Sequence, residues 1–193
     1  MKRPPKLLSI LRLDVLAVGV VLLVVGSVIG AVGRRTTESS DVSPNGPVQL
    51  DGLTYTVADA RALDENGDAP VLRALPPGRR HATRRDILYA VFLSVANPGN
   101  EPRPAVRRVT LLDADGHLLP RVPLSSRSAY TYDLRSLAPG RNAPPDDSPP
   151  AEDLGMQGYA LVFRVPRGAR GEGPLTLRLH DPVHPGRSAD TAV

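Results

Sequence analysis

The chain has 193 residues and no cysteine, which excludes disulfides, thiolate metal sites, thiol nucleophiles and anchoring through a lipid-modified cysteine. It carries 24 basic and 20 acidic residues, a formal net charge of +4. Four of the basic residues and one acidic residue lie within residues 1–33, so the rest of the chain is almost neutral. A nucleic-acid-binding function is therefore not expected, because domains of that class present a strongly basic face.

An uncharged run of 19 residues, from Val15 to Gly33, follows the basic N-terminal segment. As a helix this run is about 28 Å long, which is enough to span a bilayer. We therefore predict a cytoplasmic basic tail over residues 1–13 and a transmembrane helix over residues 14–33. The positive charge of the tail keeps the N-terminus in the cytoplasm and sends the rest of the chain outside. The alternative is a secreted protein cleaved near Gly33, because the small residues before that point suit a signal peptidase.

Four glycines lie within about 60° of one another on the predicted membrane helix. They are Gly19, Gly26, Gly30 and Gly33. The spacing of Gly26 and Gly30 lets two membrane helices approach closely, which predicts a homodimer or a contact with another membrane protein through this helix. The alternative is that these glycines have no special role, because glycine is common in membrane helices.

Residues 34–47 are polar and interrupted by proline and glycine, so we predict a flexible linker there. After the linker the pattern changes to the alternation that is typical of strands, and the pair Asp115-Gly116 suits a tight hairpin turn. About seven strands and no further helix are expected. We therefore predict an all-β fold, an immunoglobulin-like β-sandwich over residues 48–182. The strand patterns lie at 53–57, 87–97, 109–111 with its return strand, 130–135, 159–165 and 175–179.

Two long insertions interrupt the predicted strands, at residues 64–86 and 139–155. The first changes from acidic to basic along its length, and the second is acidic and rich in proline. Both are expected to be irregular, because loops of this length in a compact domain are usually functional or disordered. The tail over residues 183–193 is expected to be disordered.

The segments "LDGLTYTV", "LYAVFLSVANPGNEP", "LLDADGHLL", "LAPG" and "GYALVFRVP" follow one another in this order over about 115 residues. In this order they resemble the telokin-like extracytoplasmic domain-of-unknown-function family of Gram-positive bacteria. The mycobacterial immunoprotective extracellular antigen is similar in fold. The resemblance implies an immunoglobulin-like sandwich on a secreted protein or a lipoprotein, with no established activity. The chain departs from the family in its proline-rich insertion after "LAPG" and in lacking a lipoprotein cysteine.

A basic cluster within the insertion 64–86 is the candidate site for an anion or a partner protein, because exposed guanidinium groups bind carboxylates and phosphates. One alternative is that this loop is simply solvated. Another is that it pairs with the acidic residues of the insertion 139–155, which would themselves suit a basic partner. The cluster consists of Arg79, Arg80, His81, Arg84 and Arg85.

No catalytic, cofactor-binding or metal site is predicted. His180 and His184 have the spacing of helical metal ligands, but Pro182 between them prevents a regular helix. Asp113 and Asp115 are explained by the hairpin turn rather than by calcium. The chain also offers no strand-to-helix turn for a nucleophile, so an enzyme is not expected.

The sequence thus predicts a membrane-anchored module outside the membrane that binds an envelope protein or an anionic wall polymer without covalent chemistry. The alternative is an accessory subunit of a membrane complex that contacts its partners through the transmembrane helix. A small hydrolase or metal carrier is the least favoured class.

Overall fold

The computed structural model describes residues 46–153, 157–169 and 173–193. The predicted basic tail, the transmembrane helix over residues 14–33 and its glycines lie outside the described residues, as does most of the linker over residues 34–47. Among the residues that are described, no helix is both long enough and apolar enough to cross a membrane.

The described part of the chain is built mainly from short strands, with two short α-helices and one 3-10 turn at Pro77–Arg79. The helices are α1 (Ala69–Ala74) and α2 (Pro149–Glu152). The strands are β1 (Val48–Leu50), β2 (Leu53–Ala62), β3 (Asp86–Ala96), β4 (Arg103–Pro104), β5 (Val109–Leu112), β6 (Leu118–Leu119), β7 (Arg121–Val122), β8 (Ser136–Leu137), β9 (Asn142–Ala143), β10 (Tyr159–Pro166), β11 (Thr176–His180) and β12 (Ser188–Ala192).

Two antiparallel sheets pack face to face and make the fold a β-sandwich. The larger sheet has the order β1-β2-β3-β10-β7, with β9 paired to the end of β3, and the smaller has the order β12-β11-β5-β6. Strands β4 and β8 form a separate short pair. One apolar core joins the inner faces of both sheets, and it includes Tyr55, Val91 and Phe163 from the larger sheet and Leu111 and Leu177 from the smaller one. The predicted sandwich is confirmed.

The central strand β3 is buried on both faces, as its uninterrupted apolar sequence predicts. Its odd-numbered residues face the smaller sheet, and its even-numbered residues form a second apolar cluster on the outer face. Val71 and Leu72 of helix α1, together with Leu75 directly after it, cover that outer cluster and pack near Phe92 and Tyr130. The larger sheet is therefore covered on both sides over β3 and β10.

The described residues contain twelve strands rather than the expected seven or so, because several segments pair over only two residues. Three further sequence-based expectations are wrong. The tail over residues 183–193 contains β12, which pairs with β11 along five residues and buries Ala189 and Thr191. The two insertions contain α1, α2 and β9, so helices are present and the insertions are not wholly irregular. The pattern at 130–135 does not form a strand, because Tyr130 lies in the outer cluster and Tyr132 in the core between the sheets. The chain crosses from one face of the sheet to the other between these two tyrosines.

The predicted hairpin at Asp115-Gly116 is confirmed. Strand β5 pairs with β6 through Leu111 and Leu119, and the intervening turn is closed by a hydrogen bond from the Asp113 amide to the His117 carbonyl. Gly116 has a φ of +83°, a left-handed conformation that glycine adopts at low cost.

Candidate functional site

The basic cluster lies in an insertion that a buried carboxylate fixes to the larger sheet. Asp68 is only 2% exposed, and its two oxygens accept hydrogen bonds of 2.8 Å from the Arg61 guanidinium and the Asp64 amide. The Arg61 guanidinium also lies 4.8 Å from the centre of the Phe92 ring on the outer face of the sheet and pairs with Asp59. A buried carboxyl group is costly to the fold unless it is hydrogen-bonded in this way. The insertion therefore starts from an ordered anchor.

Helix α1 then packs on the sheet, and Arg80 closes its C-terminal end. The Arg80 guanidinium donates hydrogen bonds of 3.0 Å to the carbonyls of Leu75 and Arg73. Carbonyl groups at the C-terminal end of a helix have no partner within the helix, and a cation there also interacts favourably with the negative end of the helix dipole. The guanidinium of Arg80 therefore serves the fold of the insertion.

The segment before β3 is fixed by side chains from the end of β10. The Arg167 guanidinium donates to the Thr83 carbonyl at 3.2–3.3 Å, and the Arg167 amide donates to the Arg85 carbonyl at 3.1 Å. The Arg164 guanidinium donates to Asp86 at 2.8 Å. Burial raises the pKa of Asp86, but hydrogen bonds from Thr83 and the charge of Arg164 outweigh this effect and hold that pKa below its ordinary value.

Arg84, Arg85 and Arg167 thus lie at the end of the larger sheet where β3 begins and β10 ends. Arg79 lies earlier in the same insertion, at the end of the 3-10 turn, and all four arginines are exposed. We call them the basic surface: Arg79, Arg84, Arg85 and Arg167. Within the described residues, the guanidinium groups of Arg79, Arg84 and Arg85 make neither a hydrogen bond nor an ion pair. Their charges are available to a ligand, since exposed guanidinium groups pair readily with carboxylates and phosphates.

The structure divides the predicted cluster. Arg79, Arg84 and Arg85 remain available, whereas Arg80 binds the helix end. His81 lies 3.2 Å from Glu65, and both side chains are about three-quarters exposed, at 76% and 78%. The proposed pairing with the acidic insertion is not found, because no ion pair within the described residues joins the available arginines to Asp146, Asp147, Glu152 or Asp153.

Sequence reasoning missed Arg167. It lies 82 positions after Arg85, and only the antiparallel register of β3 and β10, which pairs Asp86 with Pro166, brings the two together. The run "RVPRG" at the end of a predicted strand would have identified Arg167 only if that pairing had also been predicted.

The remaining candidate ligands are engaged within the fold. His180 contacts Thr110 at 3.1 Å, whereas His184 contacts the buried Asp181 at 3.3 Å, so the two histidines do not converge on a common point. Asp113, Asp115 and His117 lie in one turn with potential ligand atoms within 4.8 Å of one another. Both oxygens of Asp113 are already used there, in hydrogen bonds with Asp115 and His117.

The fold and the basic surface define a β-sandwich domain with an exposed cationic end. In comparisons with solved structures, the chain is similar in fold to "a putative lipoprotein (ycdA)" from Bacillus subtilis, with a TM-score of 0.50 and 13% identity. That match covers 78% of this chain but only 38% of the lipoprotein. No protein-family model matches the chain, and no curated protein matches it.

Two further solved structures are similar at lower scores. The yjhA protein of Bacillus subtilis has a TM-score of 0.45 and 10% identity over 78% of this chain and 97% of its own. An uncharacterized β-sandwich protein from Clostridium difficile 630 has a TM-score of 0.42 and 10% identity, over 83% of this chain and 97% of its own.

Proposed function

We propose that the chain is a membrane-anchored extracytoplasmic module of the immunoglobulin-like, telokin-like type that acts by non-covalent binding. In this proposal its basic surface engages an anionic wall polymer or an acidic face of an envelope protein. The observation that carries the proposal is the set of exposed guanidinium groups of Arg79, Arg84 and Arg85, which have no partner within the described residues. A surface of several like charges attracts a polyanion and does little for the stability of the fold.

The order of the underlying loop supports this assignment. Asp68, Arg80 and Arg167 each fix a different part of the insertion, so the available guanidinium groups project from a held backbone. A ligand that binds a held surface loses less binding energy to ordering the protein than one that binds a disordered loop.

The membrane part of the proposal rests on the uncharged run from Val15 to Gly33, which is long enough to span a bilayer. The spacing of Gly26 and Gly30 in that run favours the second candidate, an accessory subunit that contacts its partners through the helix. Replacing residues 14–33 with an unrelated membrane helix separates the two candidates. A module that acts through its basic surface keeps its function after the exchange, whereas an accessory subunit loses it.

Binding of inorganic polyphosphate and of poly-L-glutamate to the purified full-length chain tests the basic surface. The triple variant Arg79→Gln, Arg84→Gln, Arg85→Gln is expected to bind both polymers about ten- to one-hundred-fold more weakly, since each exposed pair contributes up to about 1 kcal/mol. Binding of the unsubstituted chain is expected to fall between 0.05 and 0.5 M salt, because screening shortens the range of exposed charges to below about 10 Å.

A charge-matched control distinguishes this surface from the general charge of the protein. Arg107, Arg135 and Arg141 are also exposed, and they lie outside the insertion 64–86. Replacing all three with glutamine removes the same charge and should leave polymer affinity within about two-fold. Equal weakening in the two triple variants would show that net charge, rather than the basic surface, binds the polymer.

A further inference from the structure

A cleft of about 370 Å³ lies at the far end of β3 from the basic surface. Its floor is the outer face of the larger sheet, where Thr56 and Ala58 of β2 lie beside Ser94 and Ala96 of β3. Its roof is the part of the proline-rich insertion that contains Asn142, Pro144, Asp146 and Ala151. The volume falls within the range of small-molecule sites in proteins, which is roughly 300–1,000 Å³.

The roof is tied to the sheet at both ends. Strand β9 pairs with the end of β3 through Ala143 and Val95. At the other end the Gly158 amide donates a 2.7 Å hydrogen bond to the carbonyl of the buried Pro150. Gly158 has a φ of +121°, and a side chain at this position would lie 2.9 Å from the Leu93 backbone. The cleft is therefore formed by contacts that the fold itself maintains.

The cleft combines oxygen-bearing side chains with small apolar ones. The apolar lining consists mainly of alanines, so it leaves a narrow space without bulky side chains. Its described lining residues include one carboxylate and no arginine, lysine or histidine, and they include no aromatic ring. The oxygen-bearing residues are Thr56, Ser94, Asn142, Asp146 and Gln157.

This chemistry selects among ligand classes. An anion would meet the Asp146 carboxylate without a compensating cation, which opposes its binding. A sugar ring or a planar aromatic ligand would find no aromatic ring in the described lining to stack against. A primary ammonium group needs several oxygen acceptors and gains from a carboxylate, and all of the polar lining residues offer oxygen atoms.

We propose that this cleft binds a primary ammonium group at the end of an unbranched aliphatic chain, as in an aliphatic diamine. Asp146 supplies the negative charge, and the neighbouring amide and hydroxyl oxygens accept the remaining ammonium protons. The alanines of the floor and roof admit the methylene chain. Arg141 precedes Asn142 in the chain but does not line the cleft. The proposal is independent of the basic surface, which takes ligands of opposite charge.

Saturation-transfer difference NMR with the full-length chain tests the proposal, and 1,5-diaminopentane and 1,5-pentanediol are the probes. The two probes have the same length, and only the first carries ammonium groups. We expect binding of the diamine and at least five-fold weaker binding of the diol. Asp146→Asn is expected to weaken the diamine about five-fold. Asp147→Asn, which removes a neighbouring exposed carboxylate that does not line the cleft, should change affinity less than two-fold.

A steric variant locates the binding. Ala58 is exposed on the cleft floor, so Ala58→Leu fills the cleft without crowding a buried core and should abolish diamine binding. The circular dichroism spectrum and the thermal midpoint of each variant verify that it folds. Equal binding of diol and diamine, equal weakening by Asp146→Asn and Asp147→Asn, or full binding by a folded Ala58→Leu variant would each overturn the proposal.

Discussion

Removing one hydroxyl group from the core tests how the loop between β4 and β5 is held. Val106 is fully buried in that loop, and two tyrosines satisfy its backbone. The Val106 amide donates a 2.9 Å hydrogen bond to the Tyr55 hydroxyl, and the Tyr132 hydroxyl donates a 2.7 Å hydrogen bond to the Val106 carbonyl. Tyr55→Phe and Tyr132→Phe keep both rings in the core, so each leaves one backbone group of Val106 without its partner.

The expected cost follows from that geometry. A buried backbone group that loses its only partner lowers the free energy of unfolding by about 1–3 kcal/mol. Water does not replace the missing hydroxyl, because the site excludes solvent. With a urea dependence of about 2 kcal/mol/M for a domain of this size, each variant should unfold at a midpoint about 0.5–1.5 M lower. The double variant should lose less than the sum of the two single variants, because a loop freed on one side can turn its other group towards water.

Urea unfolding of a fragment covering residues 40–193, followed by circular dichroism, gives the midpoints; this fragment is one compact unit that contains every described residue. Thr54→Val is a matched control, because it removes a half-buried hydroxyl from the same strand. A midpoint for Tyr55→Phe within 0.2 M of the unsubstituted fragment would refute the reasoning. Full additivity in the double variant would show that the loop does not relax.

Three further predictions concern other parts of the fold. Arg80→Gln should lower the free energy of unfolding by about 1 kcal/mol, and Arg79→Gln by less than about 0.5 kcal/mol, in the same urea assay. Burial raises the pKa of Tyr55 to about 12 and raises that of Tyr132 further, so phenolate absorbance should appear at a higher pH in the folded than in the unfolded fragment. The free energy of unfolding should therefore decline above pH 10, because the unfolded state loses protons that the folded state retains. Deleting residues 183–193 should lower the free energy of unfolding by more than about 3 kcal/mol, because β12 pairs with β11 along five residues. The truncated fragment should then begin to unfold at moderate urea concentrations. An unchanged midpoint after the deletion would contradict the assignment of β12.

The central strands could be predicted because their own sequences specify them. Residues 87–97 are apolar on both faces, which is typical of a strand with neighbours above and below, and β3 lies at Asp86–Ala96. The alternation at 159–165 likewise predicts β10, with Leu161, Phe163 and Val165 in the core. In both strands the local pattern and the tertiary contacts agree.

The parts that could not be predicted depend on partners distant in sequence. Strand β12 consists of small and polar residues, Ser188–Ala192, and it is a strand only because β11 offers it an edge. Tyr130 and Tyr132 are two positions apart, as in a strand, yet they enter different clusters because the chain passes the sheet edge between them. The basic surface likewise depends on residues distant in sequence. The contact between Arg167 and Thr83 cannot be predicted unless the pairing of β3 and β10 is known.

Because β3 is buried on both faces, it holds the basic surface and the cleft at a fixed distance from each other. The strand runs without interruption from Asp86 at the basic surface to Ala96 at the cleft, and at about 3.3 Å per residue these two points are about 33 Å apart. Strand β10 pairs with it along eight residues, and apolar clusters enclose both strands on either face, so this length does not vary with thermal motion as a linker would. If both proposed sites bind their ligands, the polyanion and the amine would be held at this constant separation by the two strands.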